Sequence, residues 1–268
     1  MDIICYACGR KEMPENTIEA IRHCQLVNPD HWIEMDLQLS KDGEVVLFHD
    51  DNLKRVTGLD RTISALDKEQ IQAISYTVSN KLNHCELQLR IPLLQQVLTE
   101  FSHARLVLDI HSANPAIVTQ LIALIEDHAM DSQVVIVSQF EHIISSFKKH
   151  RPYLRYGATA SEVKRMVFSS YIYLDTLFPI TSDILMIPVH YDRYRMLTKR
   201  VISHVKQRNK KLWLWIYEGR SESSSKQVET IETVKQYQML QHLGVDGVFT
   251  TCPEKLLSAR SNWKEGAP

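Results

Sequence analysis

Glu34 and Asp36 stand two residues apart in Trp32-Ile-Glu-Met-Asp-Leu-Gln-Leu39, and His49-Asp50 follows just beyond Lys41-Asp-Gly43. Asp42-Gly43 is a dipeptide favoured in two-residue hairpin turns, so the segment reads as two strands. With that turn Asp36 pairs across from His49. Side chains alternate along a strand, which puts Glu34 on the same face as Asp36. Two close carboxylates repel unless a cation lies between them. A hard cation held by oxygens beside a titratable imidazole suits metal-assisted hydrolysis of a charged substrate. An exposed hairpin with ordinary surface charges carries the same residues, so the surrounding elements must decide.

Those elements follow from hydropathy. Candidate strands are Ile3–Cys8, Trp32–Leu39, Arg105–Ile110, Val134–Ser138, Arg155–Thr159, Ile184–Val189, Leu212–Tyr217 and Gly247–Thr250, with Val45–His49 as an extra hairpin arm. Continuous apolar runs such as Val134-Val-Ile-Val137 are what parallel strands buried on both faces require. Helical patterns fill the gaps. Asn16 caps a helix with Glu19 three positions on, and Ile18 and Ile21 supply its apolar stripe. Leu93, Leu94, Val97, Leu98 and Phe101 keep helical spacing, as do Ile117, Leu121, Leu124 and Ile125. Further helices are expected over Tyr194–Gln207 and Gln227–Leu243, with Gly244 at the left-handed position beyond the last. This alternation predicts an α/β fold, a (β/α)₈ barrel, as one domain over residues 1–268. An open doubly wound sheet is the alternative. A polar stretch reads as a small insertion after the second strand, over about residues 40–92. The polar run Ser221–Lys226 reads as a loop after the seventh strand.

Composition narrows the function classes. The chain has 268 residues, 44% of them hydrophobic and 24% charged, enough for a large core. A net charge of −1 argues against nucleic acid as a partner and against strong general attraction to an anionic membrane. The clusters Lys148-Lys-His-Arg151 and Lys206-Gln-Arg-Asn-Lys-Lys211 fall at helix ends, where cations complement the dipole. No apolar run reaches the ~20 residues of a transmembrane span. Met1-Asp2 leads into a strand without a basic n-region, so a cytoplasmic location is expected. Five cysteines then read as reduced thiols. Cys5-Tyr-Ala-Cys8 matches C-x-x-C, but residues three apart on a strand face opposite ways, which sets aside a redox pair. No second pair at zinc spacing follows.

In a barrel the C-terminal strand ends share one mouth. Gathered there are Cys8 to Arg10, Glu34, Asp36, Asp109, His111, Ser138 to Phe140, Trp215 and Thr250-Thr251. Oxygen-only ligation by Glu34, Asp36 and Asp109 favours Mg²⁺ or Ca²⁺ over zinc or copper.

At this point the chain resembles the glycerophosphodiester phosphodiesterases. The resemblance rests on Pro14-Glu-Asn-Thr17, Ile33-Glu-Met-Asp-Leu-Gln-Leu39, Lys41-Asp-Gly43, His49-Asp50, Leu53-Lys-Arg-Val-Thr57, Ile91-Pro-Leu-Leu94, Ser138-Gln-Phe140, Trp215 and Gly244-Val-Asp-Gly247. It implies a (β/α)₈ barrel whose insertion carries His49. It also implies cleavage of glycerophosphodiesters, or of lysophospholipids, to glycerol 3-phosphate or a lysophosphatidate and an alcohol. By the same resemblance Glu34, Asp36 and Asp109 are metal ligands, His49 is one of two acid/base groups, and Trp215 walls the glycerol pocket. Asp109 replaces a glutamate and is shorter by about 1.5 Å. His111 replaces a lysine that meets phosphate, and Thr251 replaces an aspartate. Cys8 stands where the family has its other histidine, and Arg10 takes over the phosphate-binding arginine. A thiol with a reference pKa of ~8.5 is a poor proton shuttle at neutral pH. Two readings therefore stand: a working hydrolase, or an impaired relative that binds a phosphodiester or a protein partner.

Overall fold

The computed structural model describes residues 1–80, 82, 84–191, 194–217 and 228–258. Its strands in chain order are β1 (Asp2–Cys5), β2 (Trp32–Leu39), β3 (Val45–Leu47), β4 (Ser75–Ser79), β5 (Glu86–Arg90), β6 (Arg105–Ile110), β7 (Val134–Ser138), β8 (Arg155–Tyr156), β9 (Ile184–Pro188), β10 (His190–Tyr191), β11 (Tyr194–Arg195), β12 (Lys211–Tyr217), β13 (Val228–Glu229) and β14 (Gly247–Thr250). The helices are α1 (Ile18–Val27), α2 (Lys54–Thr57), α3 (Lys68–Ala73), α4 (Leu94–Glu100), α5 (Ala116–Asp127), α6 (Glu141–His150), α7 (Ala160–Tyr171), α8 (Lys199–Gln207) and α9 (Val234–His242). Parallel pairing runs β9–β12–β14–β1–β2–β6–β7–β8, and a Gly157–Ile184 bridge joins the last strand back to the first. This is the expected (β/α)₈ barrel.

Alternation decides what each strand sends inward. Ile4, Trp32, Val107, Val135, Trp213 and Phe249 fill the interior, with the Trp32 and Trp213 rings 5.5 Å apart. Gly247 makes room for them, since a Cβ there would stand 2.4 Å from Trp213. The intervening residues Ile33, Met35, Leu37, Leu106, Leu108 and Ile110 pack outward in the core shared with the helices. Glu34, Asp36 and Asp109 belong to the inward set, above the apolar plug. The insertion after β2 wraps a smaller cluster of its own, with Leu53, Ile63, Leu66, Ile71, Tyr76 and Leu89.

Several boundaries differ from the sequence expectation. β1 stops at Cys5, and Tyr6–Cys8 form a 3₁₀ turn in which Ala7, Cys8 and Gly9 have φ of 45°, 57° and 77°. The hairpin loop has three residues, not two. Ser40 N–H donates to the Glu44 carbonyl at 2.9 Å, and Gly43 takes the left-handed position with φ of 93°. The register therefore slips by one, placing Leu37 opposite Leu47 and Asp36 opposite Phe48, not His49. Thr17, not Asn16, caps α1 by accepting the Ala20 N–H at 3.2 Å. α8 begins at Lys199 because Tyr194–Arg195 pairs with His190–Tyr191. α9 begins at Val234, behind a capping box of Thr233 and Gln236. The run 221–226 lies outside the described residues.

Glu162 ties α7 to the entry of β9. Its buried carboxylate accepts the N–H and hydroxyl of both Thr181 and Ser182. Burial works to raise its pKa, but those donors outweigh it and hold the carboxyl below its usual range. A lowered folded pKa means stability that is present above the unfolded pKa and lost as pH falls through the folded one. Glu162→Gln should cost about 1–3 kcal/mol near neutral pH. The gap to wild type should close as pH drops below the carboxylate range. Urea melts at the two pH values check this, and a gap that stays constant would refute the carboxylate clamp.

Candidate active site

Parallel pairing sets Asp36 of β2 beside Asp109 of β6, and Glu34 points the same way two residues earlier. One oxygen from each of Glu34, Asp36 and Asp109 lies within 4.8 Å of the others. Burial raises the Glu34 pKa well above the ordinary value, and the neighbouring charges of Asp36 and Asp109 add to it. The fold answers this repulsion with donors. Ala7 N–H donates to Glu34 Oε2 from the 3₁₀ turn. Asn16 donates its amide to Asp36 Oδ2 at 2.7 Å and accepts the Asp36 N–H at 3.0 Å. The left-handed backbone of Asn16, φ 55°, makes that clamp possible.

His111 lies 3.0 Å from Asp36 Oδ1 and 3.6 Å from Asp109 Oδ2 through Nε2. Burial works to lower its pKa, but the two carboxylates outweigh it and push it up to about 11. Burial acts to raise the Asp36 carboxyl, and the His111 hydrogen bond and charge bring it below its usual value. The imidazolium thus neutralises part of the acidic patch. Three convergent oxygen donors around a shared point fit a hard divalent cation.

His49 reaches the same patch from beyond the end of β3 and not by cross-strand pairing. Its ring centroid is 4.6 Å from that of His111, and its nitrogen falls in one potential ligand group with Asp36 and His111. His49 Nδ1 donates to Asp50 Oδ1 at 2.7 Å. Arg55 Nε donates to Asp50 Oδ2 at 2.5 Å, and Arg55 Nη2 pairs with Glu15. Burial favours the neutral Asp50 acid, yet Arg55 and His49 hold its pKa low, so the carboxylate stays ionised. This chain of contacts orients the His49 ring, with Nδ1 turned to Asp50 and Nε2 left unengaged by it.

Cys8 does not join this group. Its thiol is fully buried in the outer core, donates to the Glu34 carbonyl at 3.5 Å, and is pushed well above its usual pKa by burial, then by Cys24 and Glu34. The reason is the early end of β1: the left-handed turn swings residue 8 behind the strand. Cys5 also faces the outer core, so alternation does not separate these two cysteines as expected. Each is engaged elsewhere, Cys5 Sγ with His31 Nδ1 at 4.0 Å. The residue that does point inward from this strand end is Tyr6. It packs on the interior plug, its ring edge against Phe249 at 6.2 Å. Burial, then the charges of Glu34 and Asp36, push its pKa upward, so the phenol keeps its proton. Strand alternation through Ile4 and Tyr6 was the available signal. The Arg10 guanidinium lies 5.0 Å over the Tyr6 ring, and Trp215 borders the same interior layer. Thr251 is buried and hydrogen-bonds Glu232 and Thr230.

A sequence model of the glycerophosphoryl diester phosphodiesterase family matches residues 9–255. The chain belongs to this family. A glycerophosphodiester phosphodiesterase of Caldanaerobacter subterraneus is 24% identical, covering 96% of both chains. A human lysophospholipase D is 24% identical over 94% of this chain and 84% of its own. Among solved structures, the glycerophosphoryl diester phosphodiesterase domain of a Mycobacterium tuberculosis protein superimposes with a TM-score of 0.76 at 15% identity, covering 98% of each chain. An Oleispira antarctica phosphodiesterase in complex with sn-glycerol-3-phosphate gives 0.72 at 21% identity, covering 97% of each.

In this phosphodiesterase-family barrel, the His111 proton is held by the same carboxylates that would bind a cation. Titrating Mg²⁺ or Ca²⁺ should therefore release a proton, and affinity should strengthen as pH rises. Calorimetry in buffers of different ionisation enthalpy measures the release. His111→Ala should change the number of protons released, with the Glu34 carboxyl as the remaining source, and uptake instead of release would refute the coupling.

Proposed function

We propose that the protein is a metal-dependent phosphoric diester hydrolase acting on glycerophosphodiesters or lysophospholipids, releasing glycerol 3-phosphate or a lysophosphatidate and an alcohol. The observation that carries this reading is the convergence of Glu34, Asp36 and Asp109 within reach of an imidazole oriented by Asp50. Those carboxylates would hold one divalent cation, Mg²⁺ or Ca²⁺, which when bound polarises phosphate oxygens and neutralises developing charge. His49 takes a proton of the attacking water at Nε2 and passes it to the departing alcohol oxygen, while Asp50 holds its other nitrogen. Arg10 offers a guanidinium fork to the phosphate, and the neutral Tyr6 phenol donates a hydrogen bond beside it. His111 lies beside the phosphate as a substrate-binding imidazole that gives up its proton as the cation binds, and Trp215 walls the glycerol moiety. Cys8 has a packing role behind the strand. Residues 1–268 form one domain in this reading, and the five free thiols suit a reducing cytoplasm. Among the described residues no helix is long and apolar enough to cross a membrane.

Turnover of a glycerophosphodiester panel, followed as glycerol 3-phosphate release, tests the proposal. Chelation should abolish turnover, and Mg²⁺ or Ca²⁺ should restore it. Metal binding without turnover would instead establish an impaired, phosphodiester-binding relative. Within an active enzyme, His49→Ala should lose ~10²–10⁴-fold in kcat. Tyr6→Phe should lose on the order of 10²-fold with the fold intact. Cys8→Ala should leave kcat/KM within about twofold while lowering the melting temperature, since it removes only a buried packing group. A large kinetic loss at Cys8 with no loss at Tyr6 would reverse the two assignments.

A further inference from the structure

One stretch of the surface breaks the usual scatter of exposed apolar side chains. Tyr171, Ile172, Tyr173 and Leu174 are all exposed in succession, Leu177 follows, and Phe168 lies one helical turn before them. Ile172, Tyr173 and Leu177 are 65%, 73% and 69% exposed, so most of each residue faces water. Among the other described residues the large exposed hydrophobics stand singly, like Tyr153, or in pairs, like Met239 with Leu243 and Leu26 with Leu82. Single ones need no explanation, whereas a contiguous patch marks an interaction surface.

The patch is held, not loose. Asp175 is buried beneath it and pairs with Arg200 and with His204 Nδ1 at 2.9 Å. Arg200 also stacks over the Tyr173 ring at 4.5 Å. Tyr171 Oη donates to the Arg195 carbonyl at 2.6 Å, and Phe168 meets Tyr194 edge-on at 5.3 Å. Those last contacts join the patch to the β10–β11 hairpin, which leaves the C-terminal end of β9 at the barrel mouth. Tyr173 adopts φ of 62° as α7 ends, a left-handed conformation that a bulky side chain rarely takes. Backbone strain kept at an exposed aromatic points to a use for that side chain.

Among the described residues, charge around the patch is one-sided. Lys164, Arg165, Arg195 and Lys199 are exposed on the elements that carry or border it. The described carboxylates between residues 160 and 200 are all engaged: Glu162 by Thr181 and Ser182, Asp175 by Arg200 and His204, and Asp183 by Lys210. The whole-chain charge of −1 hides this local excess of cations. Exposed tyrosines mixed with aliphatic groups and rimmed by lysine and arginine match the interface between lipid headgroups and acyl chains.

We propose that residues 168–177, with Lys164, Arg165, Arg195 and Lys199 at their border, form a peripheral docking surface for an anionic lipid bilayer. The surface stands apart from the hydrolytic reading, because binding is measured without turnover. Only its consequence, presenting the barrel mouth to amphiphilic diesters held in the bilayer, rests on that reading.

The test is co-sedimentation of the full chain with vesicles of equimolar phosphatidylcholine and phosphatidylserine. The protein should pellet with them, less so at high salt, and not with phosphatidylcholine alone. The triple variant I172S/Y173S/L177S should lower the partition coefficient at least tenfold, and K164E/R165E should remove most of the salt dependence. Circular dichroism and unchanged hydrolysis of a water-soluble glycerophosphodiester would show that the triple variant folds. If that enzyme assay is silent even in wild type, the hydrolase reading fails while vesicle binding still decides this proposal. No pelleting of wild type, or equal pelleting of the triple variant, would overturn it. So would a wild-type dimer that the triple variant converts to a monomer without any lipid effect, since the patch would then serve a second copy of the chain.

Discussion

Repulsion among three carboxylates at one end of the barrel is the constraint on which the rest of the site depends. Glu34, Asp36 and Asp109 are forced together by parallel register and side-chain alternation, and two of them are buried. Like charges that close in a poorly solvated interior cannot all stay ionised without compensation. The compensation comes from distant stretches of chain: Ala7 N–H, the Asn16 amide and the His111 imidazolium. Ala7 and Asn16 both hold left-handed backbones, a cost on the order of 1–3 kcal/mol each. Hydrogen bonds to buried carboxylates offset that cost, so strain and charge stabilise one another.

The barrel and its insertion each supply half of the proposed chemistry. Strands β2 and β6 furnish oxygen donors, whose positions are set by backbone pairing. His49 lies beyond β3 and is steered by side chains instead: Asp50, then Arg55, then Glu15 on the loop before α1. That relay links the insertion to the loop whose Asn16 clamps Asp36. Any shift of the insertion would therefore be felt at the imidazole and at the carboxylates together.

Beside this site, the first strand shows how a single turn redistributes roles. A straight strand through residue 8 would have kept alternating across the sheet. The 3₁₀ turn instead turns Cys8 outward against Cys24, which donates to the Cys8 carbonyl at 3.4 Å, and leaves Tyr6 as the last inward group. A buried thiol there satisfies packing, whereas a phenol at the interior edge combines an apolar ring with a polar tip.

Much of the architecture was legible in the residues themselves. Apolar runs separated by helical stripes are a local, repeated pattern, and eight such units have few ways to close. Glu34, Asp36 and Asp109 could be assigned to one face because period-two alternation needs no knowledge of neighbours. What the chain alone could not reveal depended on backbone states of a few residues. Gly43 in the left-handed region lengthens the hairpin loop and moves His49 off Asp36, and Ala7 and Cys8 in the same region reverse the direction of a side chain. The part Asn16 plays in clamping Asp36 was not visible until β2 stood beside it. Patterns of hydrophobicity report average burial, but a one-residue slip or one positive φ is decided by long-range hydrogen bonds, and these exist only once the barrel has closed.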